Sequence, residues 1–107
     1  MSLPFDLSAF GPLFSGFQQR LEQLKEEAGQ AEVTGKAGGG LVTVTANGKL
    51  EVVAVRISDE ARADRELLED LVAAATNVAM RQARDILSGK LTELTGGLPL
   101  PPGMLGF

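Results

Sequence analysis

The chain has 107 residues, 10 basic and 14 acidic, with a formal net charge of -4 and no Cys, His, Trp or Tyr. Disulfides and thiolate or imidazole metal sites are therefore excluded, and the commonest general bases and nucleophiles near neutral pH are missing. One modest domain is the expectation, small enough that a second chain is expected to help complete its core.

Residues 1–16, MSLPFDLSAFGPLFSG, set Phe5, Phe10 and Phe14 among glycines and prolines. Those breakers predict an irregular N-terminal arm with aromatic anchors. A helix is predicted over 17–31, where Phe17, Leu21, Leu24, Ala28 and Ala31 recur at helical spacing. So narrow a stripe suits a partner helix, within the chain or across a dimer.

Next comes KAGGGLVTVTANGKLEVVAVRI, residues 36–57. Leu41 to Ala46 alternates, and Asn47-Gly48 is a strong signal for a two-residue type I′ hairpin turn, with Lys49 to Ile57 returning. That register opposes Ala46 to Lys49, Val44 to Glu51 and Val42 to Val53. It puts Val42, Val44, Val53, Val55 and Ile57 on one face and Leu41, Leu50, Val52 and Ala54 on the other. Both faces are apolar, so helices or another chain must cover them. Residues 31–36 are placed to add a third, edge strand. A phosphate loop is not expected, because the glycines precede a strand and Lys36 comes before them. They are read instead as a place for a bulge or a close chain approach, with backbone amides open to a phosphate.

Ser58-Asp59-Glu60 caps a short turn, and Asp64 is the expected N-cap of a long helix. Its broad inward face is read through Leu68, Leu71, Val72, Ala75, Val78, Ala79, Gln82, Ala83, Ile86 and Leu87, and Gly89 is expected to end or weaken it. Residues 94–107 are rich in Gly and Pro and read as a flexible tail. The predicted organisation is thus an arm at 1–16, a domain at 17–93 and a tail at 94–107. The expected fold is α+β, a small α-β-α domain with an antiparallel sheet of about three strands and helices at both ends. Phe17, Leu21, Leu24, Ala28, Leu50 and Val52 are the candidate core or dimer-packing residues.

The order of these pieces resembles the YbaB/EbfC family of nucleoid-associated proteins. The resemblance rests on VTGKAGGGLVTVTANGKLEVVAVRIS, on DRELLEDLVAAATNVAMRQAR and on the Leu-Thr-Gly-Gly and Pro-Pro-Gly-Met tail, and covers about residues 17–104. It implies a tweezer-like homodimer, with helices projecting from a shared body, that binds double-stranded DNA with little sequence preference and takes part in nucleoid organisation or gene regulation. It implies a nucleoid location. No N-terminal basic region precedes a long apolar run and nothing approaches 18 consecutive apolar residues, so a soluble cytoplasmic protein without membrane association is expected. No set of Ser, Asp, Glu or Lys has a spacing that demands catalysis, so no enzyme activity, cofactor or small-molecule substrate is expected. A replication or recombination protein is the alternative partner, for which the chain would act as a dimeric scaffold. By position in the pattern, the DNA-binding candidates are Arg20, Lys25, Lys36, Arg81, Arg84 and Lys90. The chain departs from the family in its first helix, where QQRLEQLKEEAGQ carries three glutamates against one Arg and one Lys.

Overall fold

The computed structural model describes residues 11–96. Helix α1 (Gly11–Gln30) leads into strands β1 (Glu32–Ala37), β2 (Val42–Asn47) and β3 (Val52–Ile57), then a single-turn helix α2 (Asp59–Arg62) and the long helix α3 (Arg65–Thr95). The strands form an antiparallel sheet in the order β1-β2-β3. The three-stranded α+β core expected from the sequence is present, including the edge strand before the glycines.

Helix α1 begins at Gly11 rather than at residue 17. Pro12 sits in the first turn, where an N–H has no intrahelical partner to lose. The helix continues through Gly16. Phe5 and Phe10, two of the three arm aromatics, lie outside the described residues, as does most of the C-terminal tail. Helix α3 starts as predicted, with the Asp64 side chain accepting a hydrogen bond from the Leu67 N–H at 3.1 Å. Ser58 caps α2 in the same way through the Ala61 N–H, also at 3.1 Å. Gly89 does not end α3: the helix runs on to Thr95 and stops at Gly96, a left-handed C-cap at φ 64°.

The hairpin differs from the sequence reading in register. Val42 pairs with Ile57, Val44 with Val55 and Ala46 with Val52, and a β-bulge at this last step leaves Val53 as the extra residue. Lys49 and Glu51 belong to the turn and oppose neither Ala46 nor Val44. The turn is also longer than two residues. Asn47 templates it: its Oδ1 accepts from the Lys49 and Glu51 N–H groups at 2.9 and 3.2 Å, and its Nδ2 donates to Glu51 Oε1 at 3.1 Å. The positive φ falls on Leu50, at 64°, and not on Gly48.

Gly48 has a different task. Its N–H donates to the carbonyls of Ala28 and Ala31 at 2.8 and 3.1 Å, which ties the turn to the end of α1. A Cβ there would lie 2.6 Å from Ile86 Cγ2 and 2.7 Å from the Ala28 carbonyl oxygen. Glycine is required by close packing between α1 and α3, not by a left-handed conformation.

The core is a sheet-on-helix layer. Val42, Val44 and Ala46 on β2 meet Ala75, Ala79 and Ala83 on α3, and Ala61 of α2 joins them. Alanine every fourth residue keeps one side of α3 thin, so the helix backbone lies close to the sheet. Gly35 on β1 completes that approach, since a Cβ there would meet the backbone of Ala75 and Ala79. Beyond the sheet, α1 and α3 run antiparallel, with Leu24, Ala28 and Leu87 buried. A helix of 31 residues spans about 46 Å and a six-residue strand about 20 Å. The paired helices therefore project from the sheet as an arm.

Of the six candidate packing residues, Leu24 and Ala28 are buried and Leu21 is half-buried. Phe17, Leu50 and Val52 are exposed in the single chain, so they are not part of its core.

Candidate nucleic-acid interface

The two candidate cations that α1 and α3 bring together are neutralised where they meet. Arg20 lies 3.9 Å from Glu27 and 3.8 Å from Glu93, while Lys90 lies 3.3 Å from Glu27 and 4.0 Å from Glu93. Two acids and two bases thus fasten the arm, and Arg20 also donates to Gln23 at 3.0 Å. Lys25 is half-buried on α1 and is not a free cation. A broad depression along α1, lined by Ser15, Gln18, Leu21, Glu22 and Glu26, is acidic and ill-suited to a polyanion.

The remaining candidates stand apart from this cluster. Arg81 and Arg84 are exposed on α3 and have no ion-pair partner among the described residues. Arg81 is two residues from both Ala79 and Ala83, about 200° around the helix from the side that meets the sheet. Asn77, Arg81, Arg84 and Ser88 share this outer side, and all are exposed. Asp85 is the one acid beside them and is within ion-pair range of neither arginine. Short neighbours leave the guanidinium groups accessible to a flat or convex ligand.

Lys36 lies on the other side of the molecule. On β1, Val33, Gly35 and Ala37 share the α3 side, so Thr34 and Lys36 face away from it. Register then places Lys36 opposite Thr43, and Thr43 opposite Arg56. Arg56 is a basic residue that the sequence reading did not single out. The signal for it was present in Val55-Arg56-Ile57, where the apolar neighbours fix the phase of β3 and send the arginine to the opposite face.

Acidic residues gather elsewhere. Glu60, Glu66 and Asp70 cluster around α2 and the start of α3, with Asp59 paired to Arg62 at 3.1 Å and Glu69 to Arg65 at 3.1 Å. That end of the molecule repels a polyanion, whereas the second half of the outer side of α3, around Arg81 and Arg84, and the uncovered sheet face do not.

No described group of three or more His, Cys, Asp or Glu is placed to hold a metal ion, and no described helix is long and apolar enough to cross a membrane. The molecule is a small α-β-β-β-α-α domain in which α1 and α3 pair as an arm. A model of the YbaB/EbfC DNA-binding family matches residues 7–98, and the chain belongs to that family. Among solved structures it is similar to uncharacterized protein HP0035 from Helicobacter pylori, at 28% identity and a TM-score of 0.78. The likeness covers 86% of this chain and 99% of that one. Family membership carries a general nucleoid-associated DNA-binding role and no catalysis.

Proposed function

We propose that the protein acts as a homodimer that binds double-stranded DNA through its phosphates, with little sequence selectivity, and so serves nucleoid organisation. The observation that carries this reading is the exposed Arg81–Arg84 pair on the outer side of α3, free of ion-pair partners among the described residues. Two arginines on a smooth helix face suit phosphate oxygens. The chain has no Tyr or Trp to stack on bases.

The dimer is supported by β3. Every residue of this edge strand is exposed, with Val52 at 46%, Val53 at 51%, Val55 at 45% and Ile57 at 46%. Helix α3 lies mainly over β1 and β2, which leaves the same-side residues Val52, Val55 and Ile57 without cover. An apolar edge strand with unpaired backbone groups is an association surface. A second copy, presenting the same strand about a two-fold axis, covers both the edge and the valines. Each Arg81–Arg84 pair is then present twice.

Arg81→Ala combined with Arg84→Ala removes four charges per dimer. Binding to unrelated duplexes should weaken by similar factors, and the dependence of log affinity on log salt should flatten by up to about 3.6. An unchanged slope would remove these side chains from the interface.

A further inference from the structure

The sheet has one face packed on α3 and one face that no described helix covers. On that second face, Lys36, Thr43 and Arg56 stand in a single cross-strand row, in direct register through β1, β2 and β3. Thr34 and Thr45 form the next row with Ala54. Lys36 and Arg56 are exposed, and neither has an ion-pair partner among the described residues. Glu32, the acid that shares this side of β1, is four residues from Lys36, about 13 Å along the strand. Helix α2, with Asp59 and Glu60, folds toward the other layer, where Ala61 is buried in the core.

We propose that this uncovered sheet face, centred on the Lys36–Thr43–Arg56 row, is a second phosphate-contacting surface, so that the protein holds two duplex segments at once. The proposal rests on the DNA-binding reading above and goes further, because the row lies on the opposite side of the sheet–helix layer from Arg81 and Arg84. One straight duplex cannot lie against both sides of that layer. Two adjacent strand spacings put the Lys36 and Arg56 backbones about 10 Å apart. Measured along the duplex axis, that distance is about three nucleotide steps of one DNA strand at about 3.4 Å each. The threonine hydroxyls between and beside the cations can donate to phosphate oxygens. Duplex DNA fits this face by charge and by shape, since a gently twisted, small-residue sheet surface offers no pocket for a compact ligand.

The test compares four forms of the full chain: wild type, Arg81→Ala with Arg84→Ala, Lys36→Gln with Arg56→Gln, and all four changes together. Each is titrated into one labelled duplex, and each is asked to capture a free labelled duplex onto a second, immobilised duplex of unrelated sequence. Wild type should do both. Either pair of changes should weaken single-duplex binding without abolishing it, while abolishing capture, and the fourfold variant should lose both activities. Arg62→Gln with Arg65→Gln makes the same change in net charge at the acidic end and should leave capture intact. Capture that survives Lys36→Gln with Arg56→Gln overturns this inference and leaves the helix-face reading standing. So does complete loss of binding in the helix-face pair alone. A wild type that binds no duplex overturns both. Circular dichroism and the unfolding midpoint confirm that each exposed substitution leaves the fold unchanged.

Discussion

Replacing Gly35 by alanine tests the contact on which the fold depends. The added Cβ would meet the carbonyl oxygen of Ala75, the nitrogen of Ala79 at 2.5 Å and the Ala79 Cα at 3.0 Å. All three are backbone atoms of α3, so no side chain can swing aside. Restoring ordinary contact requires α3 to retreat by about 1 Å, and a gap of that size forfeits a quarter to a half of each dispersion contact along the seam. The seam includes Ala75, Ala79 and Ala83 against Val42, Val44 and Ala46. Overpacking of this kind costs about 1–3 kcal/mol, and the rigid backbone neighbours place Gly35→Ala near the upper end. For a domain of this size, a loss of about 3 kcal/mol lowers the unfolding midpoint by roughly 12–24 °C. Urea unfolding at fixed protein concentration reads the change. A loss below about 0.5 kcal/mol would show that α3 does not approach β1 this closely, and the argument for the alanine seam would fail.

Further outcomes follow from other sites. Gly89→Ala should stabilise the protein by about 0.8 kcal/mol, because the residue lies inside α3 with nothing near its missing Cβ; an unfolding midpoint that falls contradicts this. Val55→Lys should turn a dimer of the 11.2 kDa chain into a monomer with unchanged helical content, since Val55 is exposed in the single chain; sedimentation that still reports the dimer contradicts it. Glu27→Gln with Glu93→Gln should release Arg20 and Lys90 from their pairs, strengthening duplex binding several-fold while costing less than about 1 kcal/mol of stability. Weaker binding would mean the two cations serve only to fasten the arm.

Much of the fold could be read from local signals. The Ser58 and Asp64 caps, the third strand and the alanine side of α3 follow from spacing and side-chain chemistry alone. The hairpin could not be read in the same way. Asn47-Gly48 satisfies the preference of a two-residue turn, but here tertiary contacts decide: Gly48 docks on the end of α1, Asn47 organises a longer loop, and the bulge at Val53 shifts the strand. The early start of α1 was hidden because Pro12 breaks a helix interior yet suits a first turn.

The candidate interface was legible in composition but not in arrangement. The sequence counts Arg20 and Lys90 as equal to Arg81 and Arg84. Only the antiparallel pairing of α1 with α3 shows that the first two face Glu27 and Glu93. Arg56 was missed for the converse reason, because its neighbours Lys36 and Thr43 are brought to it by sheet register and are distant in the chain.

The central claim, phosphate-directed binding by a dimer, is tested most directly by titrating the wild-type chain into two duplexes of equal length and unrelated sequence across a series of salt concentrations. Closely similar affinities for both duplexes are expected, with a log–log salt slope of about −3.6 or steeper, from at least the four outer arginines of a dimer at about −0.9 each. Absence of binding at low salt, a flat slope, or a strong preference for one sequence would contradict it.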